Sequence, residues 1–340
     1  MEWRRPRRSR FWLLLLLLLV AQQVFRLQSS PPAAVEAAEA VPRHCRLSGP
    51  DAAAARRKLC RGLAMRNTTR IFLYGDSLIG QVGLALGVAH EGGGALAVAA
   101  LRQAVEALLP NLEGVECQRW QHFAKTTFPI IGCEDRSVEL VWMGQFTDPT
   151  CVASELYGKG ELFRPPVETD LLLILQGAHH RMEKEDHVRV YTDFLRRVGS
   201  EVAGKFPGKV LWIEPFVQHF QRGIWVDDLG AVGGASSPEA LQKAVRFNTG
   251  GPELQGCWSS DGIDDSMQLL RASLAREAAA AVPGVSVVPV YDTLKPLADC
   301  HQKQNDCTHY VFETYNVVWK TIGEVLGLSS FPASPLALKR

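Results

Sequence analysis

The stretch IFLYGDSLIGQ, residues 71–81, decides the fold predicted for this chain. Its first four residues, Ile71 to Tyr74, are apolar or aromatic and predict a short buried strand. Gly75 permits a sharp turn after the strand because glycine has no Cβ. The residues from Leu78 to Leu86 predict a helix. Ser77 is therefore expected at a helix N-terminus, where free backbone N–H groups favour negative charge.

A serine in this position suits nucleophilic catalysis, because the nearby N–H groups can stabilise the oxyanion that the reaction creates. The alternative is that Asp76 and Ser77 only cap the helix, as residues of these types commonly do. The stretch by itself leaves both interpretations open.

Strands and helices alternate along the rest of the chain. Strands are predicted at 137–143, 169–175, 209–215 and 285–290, and helices at 51–65, 95–109, 185–206 and 265–281. This alternation predicts an α/β protein with three layers, α/β/α, and a mostly parallel sheet. The apolar run that ends at Leu175 is followed by Gly177, His179 and His180. Ligands of such sheets bind at the carboxyl ends of the strands, so these residues are site candidates.

A second candidate group lies near the C-terminus, in the sequence NDCTHY at residues 305–310. Asp306 and His309 are three residues apart and would share a face in a helical turn. The carboxylate could then hold Nδ1–H of the imidazole while Nε2 faces Ser77. An Asp-x-x-His pair is common by chance, and its significance comes from its pairing with residues 75–77.

Together, these two segments resemble the paired signatures of the PC-esterase group. That group includes the plant trichome birefringence-like proteins and belongs to the wider GDSL/SGNH class of serine esterases. The strand end QGAH (176–179) and the block WIE (212–214) with QHF (218–220) are similar to further family blocks. The resemblance spans residues 71–319 and implies an SGNH-hydrolase-like fold.

The resemblance also implies roles for individual residues. Ser77 matches the nucleophile, His309 the general base and Asp306 its orienting carboxylate. Asp76, Gly177 and His179 are the expected substrate- or oxyanion-binding residues, with Asp76 also shaping the turn. His219 is expected to be structural. No metal site is predicted, because the histidines at 179, 180 and 187 form no H-E-x-x-H motif. A nucleotide-phosphate site is not predicted either, because no Walker-type loop occurs.

The plant members of the group O-acetylate cell-wall polysaccharides in the Golgi. The resemblance therefore implies a polysaccharide O-acetyltransferase that works through an acetyl-serine intermediate. The partners would be a glycan and an acetyl donor, which could derive from acetyl-CoA and acts as a co-substrate, with no bound cofactor. The alternatives are a carbohydrate acetylesterase with the same triad and a non-catalytic glycan-binding protein.

The N-terminus predicts a membrane anchor. Five arginines between residues 4 and 10 precede an apolar run at 11–25. No small-x-small cleavage site follows closely, which favours an uncleaved signal anchor over a cleaved signal peptide. Basic residues stay on the cytosolic side, so the rest of the chain would be lumenal. With this anchor, the resemblance implies the Golgi membrane as the expected location, as a single-pass type II protein, or the extracellular space if the segment is cleaved.

The remaining composition agrees with the secretory pathway. Eight cysteines without a C-x-x-C pair suggest disulfides, and Asn67 begins an N-glycosylation sequon. The net charge of +1 gives no support for a nucleic-acid partner. The predicted organisation is a cytosolic tail (1–10), an anchor (11–25), a stem (26–44), a lumenal catalytic domain (45–330) and a C-terminal tail (331–340).

Overall fold

Parallel strands make up most of the central sheet in the computed structural model. In chain order the strands are β1 (Arg70–Gly75), β2 (His122–Pro129), β3 (Ser137–Gly144), β4 (Leu171–Leu175), β5 (Lys209–Ile213) and β6 (Val285–Val288). Their order in the sheet is β2-β3-β1-β4-β5-β6. β2 is antiparallel to β3, and the other neighbouring strands are parallel. The prediction of a mostly parallel α/β sheet is confirmed.

Helices cover both faces of this sheet. They are α1 (Gly49–Met65), α2 (Ser77–Val88), α3 (Pro149–Tyr157), α4 (Glu185–Arg197), α5 (Ser266–Ala280), the short α6 (Tyr291–Leu294) and α7 (Tyr315–Leu328). A hairpin of β7 (His301–Lys303) and β8 (Asp306–Tyr310) precedes α7. The structure describes residues 42–45, 47, 49–88, 122–129, 137–144, 148–158, 164–178, 180, 182–220, 257–258, 263, 265–303 and 306–328.

The alternation of side chains along β1 determines what each face of the sheet packs against. Phe72 and Tyr74 join a buried cluster with residues of α3, α4 and α5. Leu73 points to the opposite face, where α2 approaches so closely that a Cβ on Gly83 would lie 2.3 Å from its Cδ1. On the same side, Trp319 of α7 donates to the carbonyl of Val82 at 2.8 Å. The three layers are therefore α1, α2 and α7, the sheet, and α3 to α5.

A buried ion pair fixes the amino ends of β1 and β4. Arg70 and Asp170 are 1% and 0% exposed, and they bond directly through Nη2 and Oδ2. Nε of Arg70 donates to the same Asp170 oxygen at 3.2 Å, while Nη1 and Nη2 donate to the carbonyls of Arg164 at 2.6 Å and Pro165 at 2.8 Å. The same Asp170 oxygen accepts from the Val167 amide at 2.7 Å. A charge in a buried position needs this kind of pairing to offset its lost hydration.

Several predicted elements have different bounds in the structure. The helix expected at 185–206 is α4 only as far as Arg197, and it continues as a π-helical turn, Val198–Val202, and a 3-10 turn, Ala203–Lys205. The edge strand β2 was not expected from the sequence. The helix predicted at 95–109, the N-terminal segments before residue 42 and the tail at 331–340 lie outside the described residues.

Disulfides tie distant parts of the chain together. Cys45 pairs with Cys300, and Cys257 pairs with Cys307. Cys60 and Cys151 are disulfide-bonded as well, so the expectation of disulfides is confirmed. Within the described residues no helix combines the length and apolar character needed to cross a bilayer. The apolar run at 11–25 lies outside that part of the chain.

Candidate active site

Ser77 and His309 meet at the carboxyl end of the sheet. Ser77 is the first residue of α2, directly after the turn that follows β1. Its Oγ lies 2.8 Å from Nε2 of His309, which is 232 residues later in the sequence. Both residues are partly buried, so neither is sealed from solvent. The distance suits a serine hydroxyl that passes its proton to an imidazole base.

The backbone around His309 differs from the predicted helical turn. Residues Asp306 to Tyr310 form strand β8, so the expectation that Asp306 and His309 share a helical face is wrong. The Asp306 side chain lies outside the described part of the structure, and its role as orienting carboxylate stays a prediction.

Asp76 holds the two sides of the site together. Its Oδ1 accepts the amide N–H of Leu78 at 3.0 Å, which is the N-cap bond of α2. Its Oδ2 accepts the amide N–H of Ala178 at 3.0 Å, just beyond the end of β4. With both oxygens engaged and 3% of its surface exposed, Asp76 supports the turn, and its expected role in binding substrate or the oxyanion stays a prediction.

Gly177 lies at the end of β4 in a conformation that favours glycine. Its φ is +140°, and a Cβ there would lie 2.9 Å from Oη of Tyr191. Its carbonyl accepts from Nη1 of Arg271 at 2.5 Å. The oxyanion role expected for Gly177 remains a prediction. His179 lies outside the described residues, and the adjacent His180 packs against Tyr191 and Phe194 at ring-centroid distances of 4.7 and 4.8 Å.

A buried polar network connects the β4 end to β8. Beyond its bond to Gly177, Arg271 places Nη1 and Nη2 at 3.4 and 3.3 Å from Oε1 of Gln218. Nε2 of Gln218 donates to Oγ1 of Thr308, the neighbour of His309, at 3.0 Å. Gln268 secures the Gln218 backbone through bonds of 2.6 and 2.9 Å. Contacts therefore run continuously from the nucleophile's turn to the strand of the base.

Arg271 carries its charge in an enclosed position. It is 0% exposed, and burial lowers its pKa, while Tyr191, Asp76 and Tyr291 favour the charged form. Analysis of the sequence missed both Arg271 and Gln268. One signal was available: with Ala272, Ala275 and Ala279 they lie at helical spacing on the buried face of α5. Two large polar residues on an otherwise alanine-lined face indicate a buried polar contact.

The described residues contain one group with metal-ligand chemistry, formed by His44, Cys45, Asp299 and Cys300, whose ligand atoms lie within 4.8 Å of one another. The two sulfur atoms are joined in a disulfide and are not thiolates. His44 and Asp299 form an exposed side-chain contact at 2.8 Å. What remains is a surface pair beside a disulfide, since metal coordination by cysteine requires the thiolate.

Comparison with known proteins gives distant structural likenesses. No protein-family model matches the chain, and no curated protein sequence does. The solved structures it resembles include a lipase/acylhydrolase from Enterococcus faecalis, with 13% identity, a TM-score of 0.36 and coverage of 77% of this chain and 97% of that chain. Another is described as a platelet activating factor from Streptococcus pneumonia, with 14% identity and a TM-score of 0.37. That match covers 79% of this chain and 91% of the other chain. Neither TM-score is high enough to establish a shared fold.

Proposed function

We propose that this protein is a serine-dependent acyl-transfer enzyme, and specifically a polysaccharide O-acetyltransferase. The observation that carries the acyl chemistry is the 2.8 Å contact between Ser77 Oγ and His309 Nε2 at the N-terminus of α2. A hydroxyl held against an imidazole can be deprotonated as it attacks, and the helix N-terminus favours the negative charge that develops.

The reaction would proceed in two displacements. His309 Nε2 takes the Ser77 proton as Oγ attacks the acetyl carbonyl of the donor. The tetrahedral intermediate collapses to acetyl-serine, and the donor's leaving group departs with the proton from His309. A sugar hydroxyl then gives its proton to His309 and attacks the acetyl carbon. This step releases the O-acetylated sugar and returns the proton to Ser77.

The choice of acetyl group and glycan rests on the sequence motifs. The segments 75–77, 176–179, 212–220 and 306–310 occur in the order found in the polysaccharide-modifying group they resemble. The acceptor depends on how completely the bound glycan excludes water. If water reaches the acetyl-serine first, the same residues make a carbohydrate acetylesterase.

The test uses the purified full chain in detergent with a labelled acetyl donor and candidate polysaccharides. We expect label on Ser77 by intact-mass and peptide analysis, followed by label on the glycan, with both lost in Ser77→Ala. The matched control is Ser200→Ala, which removes an exposed hydroxyl on the π-helical turn and should retain transfer.

Three results have distinct meanings. Free acetate without glycan labelling identifies the esterase. Unchanged transfer in a folded Ser77→Ala variant excludes the proposed nucleophile. Glycan binding without any acyl chemistry in the folded wild-type protein favours the non-catalytic alternative.

We also propose that residues 11–25 anchor the protein in the Golgi membrane with residues 45–330 in the lumen. The support is the basic-then-apolar N-terminus together with the disulfide-bonded cysteines. Expression in microsomes followed by protease treatment tests the topology. We expect the lumenal part to be protected and still attached to the membrane. Release of a soluble protected chain would favour cleavage of the segment.

A further inference from the structure

Two buried histidines that the acyl-transfer mechanism does not use lie in contact with β8. His219 is 0% exposed and follows β5, and His301 is 8% exposed and begins β7. Nδ1 of His219 lies 2.8 Å from Nε2 of His301. Two ring nitrogens at this distance must share a proton, because otherwise two lone pairs would face each other.

The outward-facing nitrogens of the pair contact backbone carbonyls. Nε2 of His219 lies 2.9 Å from the carbonyl oxygen of Lys295. Nδ1 of His301 lies 3.1 Å from the carbonyl oxygen of His309. A carbonyl oxygen can only accept a hydrogen bond, so each of these ring nitrogens carries a hydrogen.

Counting protons then fixes the charge of the pair. A neutral imidazole has a single N–H, and both rings have already committed theirs to a carbonyl. The 2.8 Å contact between the rings therefore needs a third proton. The Tyr310 hydroxyl does not supply it, since that hydroxyl donates to the Val217 carbonyl at 2.8 Å and lies 3.5 Å from Nδ1 of His219. The two rings together carry one positive charge.

The environment indicates which ring holds that charge. Burial lowers the pKa of His219, which favours its neutral form even though the Lys295 carbonyl and the charge of Asp299 oppose this. The His301 ring stacks on Tyr310 with centroids 4.3 Å apart and an interplanar angle of 28°. A cation over an aromatic face is attracted to it. His301 is thus the better site for the third proton.

Titratable groups on the described elements around the pair also bear on this assignment. Asp299, on the turn before β7, is the carboxylate whose charge raises the pKa of His219, against the larger effect of burial. Lys295, at the end of α6, has its ammonium group ion-paired with Asp265. From β8 the pair meets Tyr310 and the backbone of His309.

We propose that His301 is a positioning residue for His309: as an imidazolium it donates from Nε2 to His219 and from Nδ1 to the carbonyl of His309, and so fixes the base on β8. The inference rests on the proposed function only for the role of His309 as base. The folded pair binds one proton more than two neutral imidazoles. Its contribution is therefore present at low pH and is lost as the pH rises and the proton leaves.

The first experiment locates the proton without using activity. Histidine imidazoles of the full chain, ¹⁵N-labelled and in detergent, are followed by long-range ¹H–¹⁵N NMR over a pH titration, with assignments from His301→Gln and His219→Gln. At neutral pH we expect His301 with both nitrogens protonated and His219 with hydrogen on Nε2 alone. The His309 resonances should shift as His301 titrates, and this shift should vanish in His301→Gln. A neutral His301 at neutral pH, or His309 signals indifferent to His301, overturns the proposal.

The second experiment measures kcat and KM for acyl transfer against pH. In the wild type we expect kcat to fall at alkaline pH, as His301 loses its proton. His301→Gln should lower kcat about 10- to 100-fold with little change in KM, as expected for a misplaced catalytic group. The same variant should no longer show the fall in kcat at alkaline pH. His219→Gln should retain that decline, because its oxygen can accept from His301 while its amide donates to Lys295. His187→Gln on α4 is the matched control and should behave as wild type. A wild-type pH profile in folded His301→Gln would contradict the positioning role. Absence of any Ser77-dependent transfer would instead contradict the enzyme assignment. In that case the NMR experiment alone decides which histidine carries the proton.

Discussion

At the scale of single residues, the backbone conformation of Gly177 leads to a prediction. Alanine at this position would have to adopt a φ of +140° and place its Cβ 2.9 Å from Oη of Tyr191. We expect Gly177→Ala to lower the free energy of unfolding by about 1–3 kcal/mol for the backbone and a similar amount for the clash. Urea unfolding measures the loss, and acyl transfer should fall with it because β4 ends at the site.

Gly284 provides the matched control for this substitution. Its φ is +81°, and a Cβ there would meet nothing within 4 Å. Gly284→Ala should cost only the backbone strain, about 1–2 kcal/mol, and leave acyl transfer unchanged. If Gly177→Ala and Gly284→Ala lower the free energy of unfolding equally, the clash with Tyr191 makes no contribution to the loss of stability.

Asp76 supports a second prediction. In Asp76→Asn an NH₂ group replaces an oxygen and faces the amide N–H of either Leu78 or Ala178. One buried donor then loses its acceptor, at a cost of about 1–3 kcal/mol. We expect this loss in urea unfolding, together with a lower kcat, because Ser77 adjoins the disturbed turn. Asp193→Asn, which affects an exposed ion pair with Arg196, should change stability by no more than about 0.5 kcal/mol.

Residues 75–77 and His309 could be found from the sequence because each belongs to a short motif with a local chemical rationale. Arg271 and His301 could not be found in this way. Arg271 donates to a backbone carbonyl 94 positions away, and His301 contacts a histidine 82 positions away. Contacts of this kind depend on how distant elements pack, which no local pattern encodes.

At the scale of elements, the ion pair between the start of β1 and the residue before β4 can be tested. Asp170→Asn would leave the Arg70 guanidinium buried without its counter-charge. We expect a loss of about 3–5 kcal/mol in the free energy of unfolding. Asp186→Asn disrupts an exposed pair with Arg189, whose side chains are 70% or more exposed, and should cost at most about 1 kcal/mol. Similar losses in the two variants would contradict the importance of burial.

The sequence predicted the buried strand β4 and the helices α1 and α5 with similar bounds, whereas it did not predict β2 or the strand conformation of residues 306–310. The run 171–175 is apolar throughout and forms β4 as expected. The strand β2, with sequence HFAKTTFP, has a weaker pattern and forms an edge strand against β3. The segment 306–310 is a strand because it pairs with β7 and is pinned by the Cys257–Cys307 disulfide. Spacing alone could not reveal either partner.

At the scale of the whole molecule, the two described disulfides should differ in their effects. Cys45–Cys300 closes a span of 255 residues, and Cys257–Cys307 closes a span of 50. Replacing both cysteines of either pair by serine should lower the free energy of unfolding by about 2–5 kcal/mol, with the longer span at the upper end. Thermal unfolding of the two variants shows which disulfide contributes more to stability.

For acyl transfer we expect the opposite ranking, with the larger effect from loss of the Cys257–Cys307 disulfide. Cys307 lies on β8, two residues before His309, so loss of its disulfide should reduce kcat more than loss of Cys45–Cys300. The control is wild-type protein carried through the same purification with its disulfides intact. A larger kcat loss from the Cys45–Cys300 replacement would contradict the assigned role of the β8 link.

The layered architecture followed from the alternation of strands and helices, because each apolar sheet face needs a helical cover. The order of the strands and the pairing of the cysteines did not follow. Both depend on which distant segments meet, and the sequence contains no internal repeat or metal motif that would restrict the choices.

The late position of His309 has a consequence for biosynthesis. Because the imidazole is supplied 232 residues after the hydroxyl, a nascent chain that has emerged from the ribosome only as far as α5 contains the serine without its partner. Such a fragment has no activated nucleophile. If Ser77 is the nucleophile, reactivity therefore arises only after the β7–β8 hairpin, which carries His309, has been synthesised and has folded.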